Sequence, residues 1–195
     1  MKSIKFCWIV NSALFILSFL GLFANPVIGQ DKSNPLKLEV EADLISYLFK
    51  GYSIHAAVCY GNFRSSIGAF AIQQPNFFVS DDNFTVYSQG FDIKTDYLFG
   101  EHKGWHAGLQ VGYGKDRIGL KDTPEEMDLW GFSFGVRSGY RFMLGKREKE
   151  YSGFYINPWI AIIYVPDART VKLADKAFTQ SAFSPFPTVH LGWRF

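Results

Sequence analysis

The sequence predicts an all-β chain, an eight-stranded antiparallel up-and-down transmembrane β-barrel preceded by a signal peptide. Three observations carry this expectation. Apolar and polar residues alternate with period two along most of residues 30–195, the mark of strands with two unlike faces. The alternating segments run roughly nine to fifteen residues, longer than the five or six usual in soluble sandwiches and close to the length of a tilted membrane-crossing strand. The connections between them alternate short and long, as they do where tight turns lie on one side of a membrane and long loops on the other.

Composition excludes several other classes. With 48% hydrophobic and 18% aromatic residues among 195, the chain carries too much apolar surface to stay disordered. Two cysteines, Cys7 and Cys59, cannot staple a disulfide scaffold. A net charge of +2 gives no electrostatic footprint for a nucleic acid.

Residues 1–29, MKSIKFCWIVNSALFILSFLGLFANPVIG, read as the signal peptide. Lys2 and Lys5 form a basic start, residues 6–23 are largely apolar, Pro26 breaks the run, and Val27-Ile28-Gly29 resembles a cleavage site. A membrane anchor is the alternative, because the run approaches spanning length; Asn11 and Ser12 interrupt it. Cys7 lies inside the run rather than after it, which argues against a lipoprotein. Loss of Lys2 and Lys5 leaves 18 basic side chains against 18 acidic ones, with Cys59 as the single thiol. Residues 30–35 then form a short periplasmic segment and residues 36–195 the barrel.

Strands are expected over 36–49, 52–61, 63–73, 85–99, 104–117, 128–143, 152–165 and 186–195. The clearest is WGFSFGVRSGYRF, with Phe132, Phe134, Val136, Tyr140 and Phe142 on one face and Ser133, Gly135, Arg137, Gly139 and Arg141 on the other. Short turns fall at Gly61-Asn62, 100–103 and 145–150, and long polar loops at 74–84, 118–127 and 166–185. The first strand is ambiguous: 36–41 alternates as a strand does, but 41–49 also fits an amphipathic helix with Leu44, Tyr47 and Leu48 on one side. Pro158 removes a ladder donor inside a strand, so a bulge or a locally broken ladder is expected there.

The chain resembles the small eight-stranded outer-membrane barrels of Gram-negative bacteria, of the OmpX and OmpA-barrel type. The closing Val189-x-Leu191-x-Trp193-x-Phe195 looks like the terminal signature of that family, which the barrel assembly machinery recognises. The segment 41–51, EADLISYLFKG, and a signal ending before Gln30 are similar to those of Bacteroidetes-like members. The resemblance implies a monomer in the bacterial outer membrane, in contact with its lipid and lipopolysaccharide. It implies no single activity, because one barrel fold hosts adhesins, anchors and lipid-modifying enzymes.

With the apolar faces against lipid, the inward residues are Glu39, Glu41, Asp43, His55, Cys59, Asp92, Lys94, Asp96, His106, Gln110, Arg137, Arg141, Asn157, His190 and Arg194. Five acids against four bases are near balance, and in a narrow barrel such groups reach across and pair. A packed polar lumen held by Glu39, Glu41, Asp43, Asp92, Lys94, Asp96, Arg137, Arg141 and Arg194 is therefore expected rather than a channel. No catalytic, cofactor or metal residues are assigned. His102 and His106 lack further ligands nearby in sequence, and the acidic run 122–128 lacks calcium-loop spacing. Ser53 and His55 share a face, but residues two apart on a strand sit nearly 7 Å apart at the backbone, which argues against a base reaching its nucleophile. A lipid A deacylase of the resembled family uses the reverse order, His-x-Ser. The functional expectation is a non-enzymatic envelope-structural or surface-interaction protein acting through its outer loops, with a lipid-modifying enzyme or a small pore as alternatives.

Overall fold

The computed structural model describes residues 35–79, 81–100, 104–146 and 151–195. The signal-peptide segment, His102 and most of the 145–150 turn lie outside the described residues. In chain order the elements are β1 (Lys37–Asp43), α1 (Leu44–Leu48), β2 (Tyr52–Tyr60), β3 (Phe63–Gln73), a 3-10 turn (Asn76–Phe78), β4 (Phe84–Phe99), β5 (Trp105–Leu120), β6 (Glu126–Tyr140), β7 (Phe142–Met143), β8 (Gly153–Tyr164), β9 (Thr170–Leu173), β10 (Lys176–Thr179) and β11 (Phe183–Arg194). Each wall strand pairs antiparallel with its sequence neighbour, β6 and β7 form one wall strand, and β1 pairs with both β2 and β11. The wall is thus a closed barrel of eight strands.

Period two sets the faces. Phe91 and Leu109 on the outer surface are 67% and 64% exposed, whereas Glu39 and Arg64 on the inner surface are each 1% exposed. A soluble protein shows the opposite distribution, so this polarity belongs to a wall facing lipid. Aromatic rings band both ends of the apolar surface. Around the end carrying the short turns, Phe63 meets Tyr97 at 5.3 Å, Trp105 meets Tyr140 at 5.0 Å and Phe154 meets Trp193 at 4.6 Å. Toward the end carrying the long loops, Tyr113 meets Phe132 at 4.8 Å and Tyr164 meets Phe183 at 4.8 Å. From Trp105 to Tyr113 the strand covers about 27 Å, or about 20 Å along the barrel axis after a tilt near 40°, close to the apolar band of a membrane barrel.

Three expectations need correction. The first wall strand ends at Asp43 rather than at residue 49, and α1 follows. The physical reason is a cap: the Asp43 carboxylate accepts from Ile45 N at 2.8 Å and from Ser46 Oγ at 2.9 Å, which starts a helix. The 166–185 connection is not a plain polar loop. It contains the β9–β10 hairpin, and Val171, Leu173 and Phe178 pack with Phe84, Val86, Ile118 and Leu120 in an apolar cluster at the loop end. The lumen, finally, is not packed throughout, as described below.

At Pro158 the ladder breaks without a bulge. Rungs between β6 and β8 stop at Gly139↔Trp159, and the β7–β8 rungs resume at Phe142↔Ile156 in unchanged register. Pairing of Pro158 with Val189 on β11 is uninterrupted. Gly61 and Gly100 sit at turn positions with φ of 57° and 74°, where a side chain would be strained.

Candidate functional site

The turn end of the lumen is filled by an ionic cluster centred on Glu39. Its carboxylate accepts from Arg64 Nε at 2.7 Å, Arg194 Nε at 2.7 Å, Arg141 Nη1 at 3.0 Å and the Tyr155 hydroxyl at 3.0 Å. Arg64 also lies 2.9 Å from Glu41 and 3.4 Å from Asp96. Glu41 is further bonded to Asn157 Nδ2 at 3.2 Å and His190 Nδ1 at 3.0 Å. Arg137 stands 3.3 Å from Asp96 and lays its guanidinium over the Trp159 ring at 4.1 Å. All of these side chains are buried. Such a cluster holds because each charge meets an opposite one, since an unpaired charge here would be expensive.

The sequence-predicted lumen residues all face inward, but they do not form one network. Asp43 meets no cation among the described residues. It caps α1 and accepts from Thr188 Oγ1 at 2.5 Å, and so joins α1 to β11. Asp92 and Lys94 pair with each other at 2.5 Å, one level above the Glu39 cluster. Three members, Arg64, Tyr155 and Trp159, are absent from the inward set read from the sequence. Arg64 stands beside the Gly61-Asn62 turn and reads as a solvated turn charge, although the parity of Phe63 and Ile67 on β3 turns it inward. Tyr155 and Trp159 share the parity of Asn157 on β8, which turns them inward with it. Cys59 is buried, 3.8 Å from Arg194 Nη2.

Ser53 and His55 come closer than backbone spacing suggests. Ser53 Oγ lies 3.4 Å from His55 Nδ1, and His55 Nε2 lies 3.1 Å from Asp92 and 2.5 Å from Lys94 Nζ. The row of hydroxyl, imidazole and carboxylate is therefore present, contrary to the expectation that the pair stays apart. Two groups compete for Nε2: Lys94 Nζ can only donate to it and the Asp92 carboxylate can only accept from it. An ammonium this close opposes the positive charge that a general base must take up, which weighs against His55 in that role.

Above this floor lies a cavity of about 950 Å³. Its wall includes Phe70, Ile72, Val86, Leu129, Trp159 and Phe186, and its floor His55, Asp92 and Lys94. The inward positions of β5 and β6 at this level are Gly112, Gly114, Gly131 and Ser133, which are too small to fill the space; this is why the packed-lumen expectation fails in the loop-end half. Beyond the aromatic band, Asp128 is bound by Lys115 at 2.6 Å and Arg117 at 3.0 Å, so that member of the acidic 122–128 run is already neutralised. Hydrogen bonds from Arg117 and then Lys115 hold its carboxyl down to about 2. Burial pushes the carboxyl of Asp116 up, against hydrogen bonds from Ser88 and Gln180.

Inverted polarity, aromatic bands and a closed wall define the class: a transmembrane β-barrel with a salt-bridged plug. Two solved structures are similar to it. One is Neisserial surface protein A (NspA), at 11% identity and a TM-score of 0.45, covering 82% of this chain and 96% of that one. The other is the N-terminal β-barrel domain of Pseudomonas aeruginosa OprF, at 10% identity and a TM-score of 0.46, covering 84% and 100%. No family model and no curated protein matches the sequence.

Proposed function

We propose that the chain is an integral, non-enzymatic barrel of a bacterial outer membrane, exported through its first 29 residues and acting through its outer loops in envelope structure or surface interaction. The inside-out polarity of the wall supports this reading. Outer-membrane lipid and lipopolysaccharide surround the apolar band, and the barrel assembly machinery takes the chain up through Val189, Leu191, Trp193 and Phe195. Val189, Leu191 and Trp193 face outward on β11, between the inward His190, Gly192 and Arg194, and Phe195 follows directly with its ring exposed.

The test is fractionation of the producing cell followed by gel migration without boiling. The protein is expected in the outer-membrane fraction, shortened by about 29 residues in mass spectrometry and migrating faster before heating than after. Full-length protein, or protein in the soluble fraction, would reject the reading. The paired side chains of the Glu39 cluster at the turn end also support a non-conducting lumen. Purified protein in a planar bilayer is expected to give no steady large single-channel current, and a sustained large conductance would support the pore instead.

A further inference from the structure

The seam between β1 and β11 is incomplete. β1 and β11 pair only from Glu39↔Arg194 to Asp43↔His190, so β11 above His190 has no strand on that side among the described residues. Phe195 N donates to Leu38 O at 3.0 Å, and the β8–β11 register runs without a slip. Odd-numbered residues of β11 therefore turn their backbone toward β1. Pro185 and Pro187 share that parity, which places two residues with no N–H to leave unsatisfied on the unpaired edge. Among the described residues the short α1 covers this edge, held to β11 through the carboxylate shared by Ser46 and Thr188.

The cavity lies behind the seam, and residues on both sides of it, Ile45 and Ser46 against Pro187 and Thr188, are among its lining. Its aqueous mouth is spanned. In the order of the wall, β4 stands opposite β11. Yet Phe178, from the connection between β8 and β11, packs on Phe84 at the start of β4 at 5.4 Å. Gln180, from that same connection, donates to Asp116 at 2.6 Å, and Asp116 accepts from Ser88 at 2.5 Å. An apolar-walled space of this size falls within the range of ligand pockets, about 300–1,000 Å³. It is bridged toward water and weakly closed toward the membrane.

We infer that this cavity holds one hydrocarbon chain of a membrane lipid, which passes through the wall between α1 and β11. The chain packs against Phe70, Ile72, Leu129 and Phe186, and its end approaches Trp159. The lipid keeps its headgroup outside, so no charge is asked of the His55–Asp92–Lys94 floor, whose groups already satisfy one another. The inference rests on the barrel lying in a membrane, and the test reports the two separately.

The test is nuclear Overhauser contact between protonated stearate and the indole N–H groups of perdeuterated protein in perdeuterated detergent. Trp105 and Trp193 face outward and report the membrane-facing surface; Trp159 reports the cavity. Cross-peaks to all three are expected. Gly131→Phe fills the space, since a Cβ at Gly131 meets nothing within 4 Å. With Cys7 and Cys59 replaced by Ser, a Ser46→Cys/Thr188→Cys disulfide locks the seam. Either change is expected to remove the Trp159 cross-peak at least tenfold, with Trp105 and Trp193 unaltered, and reduction of the disulfide to restore it. Cross-peaks to Trp105 and Trp193 but not to Trp159 in the unaltered protein would overturn the chain site alone. So would a Trp159 cross-peak that survives both changes. Absence of all three would overturn the membrane reading itself.

Discussion

Glu39→Ala is expected to destabilise the barrel more than any other single change in its lumen. The substitution takes a shared acceptor from Arg64, Arg141 and Arg194, which all donate to that one carboxylate, and it removes an acceptor of the Tyr155 hydroxyl. Breaking one buried pair leaves a charge at a penalty of roughly 3–5 kcal/mol, and three guanidinium groups lose a partner here. Urea unfolding of the protein in lipid vesicles should show a loss of at least that size, and the temperature at which the unboiled gel band converts should fall. Glu39→Gln keeps the volume and two hydrogen-bonding atoms, so a smaller loss is expected. Equal stability of Glu39→Ala and the unaltered protein would mean that the cluster is not what holds the turn end.

Arg137→Ala, at another of the lumen charges read from the sequence, should do less. Among the described residues Arg137 makes no side-chain hydrogen bond, and its attachments there are Asp96 at 3.3 Å and the face of Trp159. Asp96 would keep Arg64 at 3.4 Å. The loss should approach the roughly 2 kcal/mol of a desolvated cation–aromatic contact rather than that of a broken hub. Neither substitution should open an ion channel, because the other members of the cluster still fill the turn end.

What the sequence makes legible is whatever period two encodes. Strand β3 falls where alternation puts it, and Glu39 and Arg141 face inward because their neighbours are apolar. What it hides depends on partners distant in sequence. Arg64 looks like one more charge beside a turn until Glu39, 25 residues away, accepts from it. The Ser53–His55 approach depends on rotamers within one strand, which backbone spacing does not reveal. The Lys94 contact with the imidazole comes from a strand 39 residues on. The cavity is hidden for a different reason. Glycine at 112, 114 and 131 tells only that a side chain is missing there, and the room this leaves becomes visible only with the opposite wall in place. The end of β1 at Asp43 was readable as a choice between strand and helix, and the cap at Asp43 decides it.

Deleting Phe195 is expected to lower the amount of folded protein in the membrane severalfold while leaving export unchanged. Closure between β1 and β11 rests on five paired positions and on the bond from Phe195 N to Leu38 O. Pro185 and Pro187 lie on the part of β11 that β1 does not reach, so pairing lost at the turn end cannot be recovered by extending the seam upward. In lipid each unsatisfied backbone group is worth several kcal/mol, so one lost rung is a large fraction of a closure this short. The Phe195 ring, 63% exposed on the outer surface, adds a second and separable contribution. Phe195→Ala keeps the backbone donor and removes the ring. If the rung dominates, Phe195→Ala should assemble nearly as well as the unaltered chain and the deletion should not. If the assembly machinery reads the ring, both should fall together. The measurement is the ratio of heat-modifiable to total protein in the outer-membrane fraction, with the signal-processed mass as the control for export. Undiminished assembly of the deletion would show that neither the rung nor the ring controls closure of the barrel.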